Sequence, residues 1–287
     1  MKKRFWDMRR LEESFFQGLM ILSLCVFIGC MGLILVTIIQ KGLPYLNWAM
    51  LTETPKGGYY MGKEGGILNA ILGSLYLAGG GTFLAVLVGL PLVLLLHMYA
   101  RHSAWARWVR MSLDLLWGIP SIVYGAFGFI LMLAVGLRAS LLAGIITLAI
   151  LELPIFIRAM DEILQLLPLD LEEASFGLGA TRFETVSQVI LRQVLPSLIT
   201  AVQLAFGRGL GDAASVMFTA GYTDRLPTSL FQPTASLPMA VYYQLNTPYQ
   251  DVQGRAYASA LILLLFVLSL SIINRLIAGR TSQFIIK

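Results

Sequence analysis

The sequence predicts an all-α integral membrane protein with six transmembrane helices and a helical cytoplasmic segment between helices 4 and 5. Three observations predict it. Of 287 residues, 57% are hydrophobic and only 13% are charged, where a soluble domain carries about 25% charged residues. Mean hydropathy is +0.76. The apolar residues fall into runs near or beyond the ~20 residues that one bilayer crossing needs. This composition argues against a soluble globular domain and equally against disorder, which is poor in apolar residues.

The first crossing is expected at about 18–40, preceded by the basic stretch MKKRFWDMRR. That start mimics a signal peptide. The apolar run is too long for a signal core and lacks a clear cleavage site, so it reads as an uncleaved first transmembrane helix. Residues 1–17 then form a cytoplasmic N-terminal segment. The second crossing is expected at about 67–98, the third at 111–136 and the fourth at 139–161. The fifth follows at about 190–221 and the sixth at 256–278, within a membrane domain spanning 18–280, with 281–287 as a cytoplasmic tail. Pro91, Pro120, Pro154 and Pro196 lie in or near these runs. A helix bundle tolerates them because neighbouring helices satisfy the freed carbonyls.

Lysine and arginine set the orientation. Of 21 such residues, 13 fall on the side of the termini and of the segment between helices 4 and 5, 6 fall on the other side, and Arg158 and Arg208 lie at or within membrane runs. Both termini are therefore expected in the cytoplasm, which requires an even number of crossings. The external segments 42–66, with Gly57, Gly58, Tyr59 and Tyr60, and 222–255, with four prolines and Tyr242 and Tyr243, are long enough to be functional or simply connecting.

Several chemistries have no residues to carry them. GxxxxGK[ST] does not occur, so no P-loop holds ATP. GxSxG and HExxH are also missing. The two histidines, His97 and His102, have no cysteine nearby, and Cys25 and Cys30 sit inside the first apolar run as inert thiols. The net charge of +5 fits loop topology better than nucleic-acid binding, for which no aromatic-interleaved basic patch exists.

The segment between helices 4 and 5, about 162–189, is the most informative. Pro168 and Asp170 resemble a helix start, with Glu172 and Glu173 in the first turn, where the helix dipole favours acids. Ala174, Ser175, Gly177 and Gly179 end that helix in a tight turn. Thr181 and Glu184 have capping-box spacing for a second helix. A plain amphipathic connector is the bland reading. The pattern Glu173-Ala174-Ser175-x3-Gly179 resembles the EAA-x3-G loop of permeases of binding-protein-dependent ABC importers, with serine in place of the second alanine. In that family the loop is a coupling helix that docks onto the ATP-binding subunit. Glu172, Glu173, Ala174, Ser175 and Gly179 are the coupling residues by this resemblance. The family's Leu-Pro pair falls one helical turn late here, at Leu195-Pro196, which leaves the start of helix 5 open.

The likeness extends over about residues 65–280. Gly65-Gly66-Ile67, the run Gly118-Ile119-Pro120-Ser121-Ile122-Val123-Tyr124-Gly125, FGRGLGDAASVMFTAG, and Leu237-Pro238 with Val241-Tyr242 all resemble the phosphate-importer branch of these permeases. The resemblance implies one half of a translocation path, paired with a second, PstC-like permease, two ATPase subunits that bind ATP and Mg, and an external phosphate-binding protein. This chain itself would bind no cofactor.

Charges at membrane depth cost about 2.5–3.5 kcal/mol each on insertion scales and are functional candidates by default. Arg208 and Asp212 are four residues apart in the fifth run; Arg158 lies three before Asp161 and four before Glu162; Glu152 and Asp114 are further cases. Internal pairing, Arg208 with Asp212 and Arg158 with Asp161, is one reading. The other is an anion pathway, in which arginine suits an oxyanion and a nearby acid keeps binding weak. The resemblance places Arg158, Asp161, Arg208 and Asp212 on that pathway, the two aspartates standing where the family has glutamate. Importers of sulfate, molybdate or phosphonate, a secondary transporter, and a membrane-bound lipid-phosphate hydrolase built on Glu152 and Asp114 are the alternatives.

Overall fold

The computed structural model describes residues 2–56, 64–101 and 103–281; the side chains of 2–11, of Glu64 and of 277–281 are outside the description. Gly57, Gly58, Tyr59, Tyr60, His102, the side chains of the basic N-terminal residues and the tail from 282 onward therefore lie outside the described residues.

Helix α1 spans Lys2–Gly42, and from Glu12 to Lys41 most of its apolar side chains are exposed. A helix hydrophobic on every face belongs in lipid or a partner interface. A 3-10 turn at Leu43–Tyr45 and the short α2, Trp48–Thr52, follow. The strands β1, Pro55–Lys56, and β2, Glu64–Gly65, pair antiparallel. Helix α3, Leu68–Met98, is the second span and α6, Leu141–Gln165, the fourth; the two pack against each other along much of their length. Helix α11, Gln250–Thr281, is the last span and packs against α1 and α10, Leu237–Leu245.

The third span is not one straight helix. It is α4, Ala104–Trp117, and α5, Ser121–Ala134, bent by 104° at a short break. Gly118 caps α4 and Pro120 starts α5. Proline lacks an N–H and drives the residue before it, Ile119, out of helical geometry. Fourteen residues make α5 about 21 Å long, short of the ~30 Å hydrocarbon core.

The fifth span also differs from expectation. It starts at Arg182, not 190, and ends at Leu210, not 221. Helix α7, Leu169–Gly177, comes first, then α8, Arg182–Glu184, which runs through a π-helical turn at Thr185–Ile190 into α9, Leu191–Leu210. The connection between α6 and α8 is thus shorter than 162–189. Residues 211–220 leave the helix and fold back against α5. Gly125 has no room for a side chain there, because a Cβ would meet the Ala214 and Ser215 carbonyls at 2.7 and 2.8 Å. The run AASVMFTA is apolar because protein buries it, not because it crosses lipid. Irregular backbone at membrane depth is tolerated in that setting.

Backbone groups at the breaks are satisfied locally. Ser140 caps α6 by accepting from the Ala143 amide, and the Leu141 and Leu142 amides donate to the Gln232 and Leu230 carbonyls at 2.8 Å each. Three buried clusters run through the bundle. One joins Val93, Phe156, Met160, Ile190 and Val194; a central one joins Leu77, Tyr124, Leu148 and Val216; the third joins Met50, Ile67, Leu237 and Ala258 at the far end.

Candidate functional site

Three groups of charged side chains among the described residues bear on the path through the bundle. The first lies between α4 and α6. Arg110 Nε and Nη2 donate to the Asp161 carboxylate at 2.9 and 3.0 Å, and Gln165 donates to the same carboxylate at 2.7 Å. Asp161 is buried. Arg158 turns the other way, with Asp114 at 3.4 Å and Glu162 at 3.1 Å. The expected pairing of Arg158 with Asp161 is therefore not formed. The competing partners explain it: Arg110 of α4 takes Asp161 with two hydrogen bonds, while Arg158 is held by Glu162 one turn on along α6 and by Asp114 of α4. Arg110 and Asp114 are four apart on α4, so they share a face. That spacing, opposite charges at i,i+4 in one helix facing opposite charges at i,i+3 in another, was the signal available for Arg110, which charge counting alone treats as a loop residue.

The second group holds Arg208 and Asp212. They pair at 3.4 Å, but Asp212 is beyond the end of α9. Its other carboxylate oxygen accepts from the Ser215 amide at 2.8 Å and so starts the folded-back turn. Asp212 is buried, whereas the Arg208 side chain is 46% exposed. Arg208 lines a cleft of about 380 Å³ between α9 and α11, with Thr200, Gln203, Leu204 and Ser271.

Glu152 is the third case. It is fully buried, and one carboxyl oxygen accepts from the Thr82 hydroxyl at 2.7 Å. Its other oxygen has no hydrogen-bond partner. That oxygen lies against Gly209 of α9, where a Cβ would stand 1.8 Å away. Glu152 thus sits where α3, α6 and α9 cross. Glycine at 209 allows the approach.

The segment between α6 and α9 is built as a helix, a turn and a capped second helix. Pro168 is the N-cap of α7, and Asp170 stands inside the first turn without making a capping bond. Asp170 and Glu172 occupy that first turn, where acids complement the dipole. Gly179 has φ +84, a conformation glycine adopts readily. Thr181 and Glu184 form the full capping box. Glu172 faces the bundle: its carboxylate meets buried His97 at 2.9 Å and Arg101 at 3.7 Å. Ser175 is also turned inward, its hydroxyl 2.9 Å from that of Thr185. Glu173 and Ala174 face outward. Around them Phe176, Leu178 and Phe183 are 41%, 91% and 73% exposed. Of the five residues expected on this segment, Glu172 and Ser175 anchor it, Gly179 turns it, and Glu173 and Ala174 present its outer face.

Comparison with known proteins places this architecture. Residues 81–283 match the family described as "binding-protein-dependent transport system inner membrane component". The phosphate transport system permease protein PstA of Haemophilus influenzae is 33% identical over 95% of both chains. PstA of Xylella fastidiosa (strain Temecula1) is 34% identical over 82% of each, and PstA of Pasteurella multocida 32% identical over 91% of this chain and 92% of that one. Among solved structures, an inward-facing methionine ABC transporter, MetNI, superposes with TM-score 0.63 at 20% identity, covering 75% of this chain and 95% of that one. A bacterial ABC transporter involved in alginate import gives TM-score 0.53 at 14% identity over 95% and 98% of the chains. These structures share the fold. With five helices long and apolar enough to span a bilayer, six if the bent α4–α5 pair is one span, and a family match over most of its length, this multi-pass membrane chain belongs to the inner membrane components of binding-protein-dependent transport systems.

Proposed function

We propose that the chain is the permease subunit of an ATP-driven importer of inorganic phosphate and forms half of its translocation path. The observation that carries the transport reading is α7, a short helix whose inner side is tied to α3 by Glu172 and His97 and whose outer side is unpartnered and partly apolar. Phosphate as the substrate is supported by the PstA relatives at 32–34% identity. The lysine and arginine distribution supports a cytoplasmic side for the termini and α7, and the family and its bacterial relatives support an inner membrane.

In this reading two ATPase subunits bind ATP and Mg, and one of them seats α7 through Glu173, Ala174 and the apolar side chains around them. A PstC-like permease completes the path, and an external binding protein delivers phosphate. Movement of α7 passes to α3 through the Glu172–His97 contact and to Arg208 through the continuous helix from Arg182 to Leu210. Two packed arrangements of such a bundle, each favoured by one nucleotide state, make an alternating gate. Arg208 meets the anion with a guanidinium that stays charged at any working pH. Asp212 beside it keeps the anion from binding too tightly, as passage requires. Arg158, partly exposed and flanked by Asp114 and Glu162, has the same composition. Asp161 acts from behind, by fixing Arg110.

The test is uptake of labelled phosphate, sulfate and molybdate at micromolar supply in a deletion strain carrying either the wild-type chain or Arg208→Ala. Phosphate uptake restored by wild type and abolished in the variant, at equal protein in the membrane, is the expected result. Restored uptake of a different anion overturns the substrate. Undiminished uptake in Arg208→Ala overturns the pathway role.

A further inference from the structure

Helix α4 is bent by 104° from α5, so it runs nearly in the plane of the membrane that α5 enters. Its inner line, Ala106 and Leu113, is buried. Its outer face carries Trp105, Trp108 and Leu115, exposed by 52%, 65% and 67%. Tryptophan concentrates at the depth of lipid headgroups, and a helix with aromatic residues on one face and basic residues beside them lies in the interface. Arg107 stands exposed beside this face, while Arg110 turns toward α6 and Asp161. Together with Arg101 and Ser103 they line an open cleft of about 230 Å³ at the start of α4.

The charges of the cleft do not cancel. Arg110 is taken by Asp161, with two hydrogen bonds. Arg101 stands 3.7 Å from Glu172. Arg107 makes no ion pair among the described residues. Among the described residues three guanidinium groups face two carboxylates, which leaves one positive charge for a monoanion. The oxygens of a phosphodiester suit arginine's planar fork.

We propose that this cleft binds the headgroup phosphate of an anionic phospholipid, with Trp105 and Trp108 against the glycerol and upper acyl region of the same leaflet. The proposal rests on the chain being a membrane protein and not on its substrate, so it stands or falls independently of phosphate transport. The lipid then sits beside α7, which shares Arg101 through Glu172.

The test uses the full-length chain and a phosphatidylglycerol analogue carrying a photoreactive group near its headgroup, with the labelled peptides mapped after irradiation. Labelling within 101–117 is expected, displaced by excess unlabelled phosphatidylglycerol but not by phosphatidylcholine or inorganic phosphate. A basic residue near the surface contributes enough for Arg107→Gln to weaken this labelling by about fivefold, while Arg107→Lys retains most of it. Arg107 is exposed and unpaired, so both variants should fold, and equal thermal stability checks that they do. Displacement by inorganic phosphate as effectively as by the lipid overturns the lipid assignment in favour of a free-anion site. Equal displacement by phosphatidylcholine, or labelling unchanged in Arg107→Gln, overturns the headgroup site. No labelling of α4 also overturns it and leaves that face to a protein partner.

Discussion

The guanidinium of Arg110 holds the buried carboxylate of Asp161 through two parallel hydrogen bonds, from one helix to the next. Asp161 is 2% exposed and Arg110 21%, so removal of either leaves a charge with little water to compensate it. Arg110→Met should destabilise the chain by about 3–5 kcal/mol. The double variant Arg110→Met with Asp161→Leu should recover most of that loss, because no charge is then stranded. Thermal unfolding of the detergent-solubilised chain measures both. Equal stability of the single variant and wild type would rule out an important structural role for the pair.

Gly209 and Glu152 make a second close contact. A methyl group at 209 would collide with the Glu152 carboxyl oxygen. Gly209→Ala should cost about 1–3 kcal/mol, the usual range for overpacking. Glu152→Ala in the same chain should relieve part of it. Glu152→Gln keeps an acceptor for Thr82 and should fold with little loss. A thermal-shift series over Gly209→Ala, Glu152→Ala, their double variant and Glu152→Gln tests the contact; strictly additive losses for Gly209→Ala and Glu152→Ala would reject it.

On α7, adjacent glutamates have different expected effects. Glu173→Lys changes only the exposed face and should lower co-purification of an ATPase subunit while leaving stability unchanged. Glu172→Gln weakens the tie to His97 and should loosen α7 itself, read as faster amide exchange over 169–177. If both variants lose the ATPase to the same degree with unchanged exchange, the division between anchor and docking face is wrong.

Ser175→Ala is expected to be nearly neutral. The Thr185 hydroxyl keeps its bond to the Thr181 carbonyl at 3.0 Å, so removing the serine hydroxyl strands no donor. The loss should stay within about 1 kcal/mol, the net value of a typical hydrogen bond. Ser175→Leu must push α7 off the π-helical turn, and a clear drop in unfolding temperature is its signature. A large loss in the alanine variant would mean that the hydroxyl pair holds the segment.

The spans at α1, α3, α6 and α11 were legible because length and hydropathy decide them. The segment around α7 was legible because Pro168, Gly179 and the Thr181–Glu184 box are local signals. Two boundaries were not. The run beyond Leu210 is as apolar as a span, and only the packing of the Ala214 and Ser215 backbone against Gly125 distinguishes a folded-back segment from a helix in lipid. Gly118-Ile119-Pro120 signals a break, but its 104° angle depends on what α4 packs against.

The charged residues divide in the same way. Sequence spacing identified Arg208 and Asp212 as partners, and they pair although the helix ends at Leu210, because the chain stays close over those two further residues. It could not show that Asp161 is held by Arg110 of α4, 51 residues away in sequence, or that Arg158 adds Asp114 of α4 to its neighbour Glu162. Nor could it show that Glu172 faces inward while Glu173 faces out, or that Glu152 lies against Gly209. By itself the sequence determined a helical membrane chain, its five long apolar spans and the capped helix–turn–helix, since these follow from hydrophobic length and local backbone preference. The tertiary structure alone decided which charges meet and which face solvent, since those depend on the rotation and crossing of helices distant in the chain.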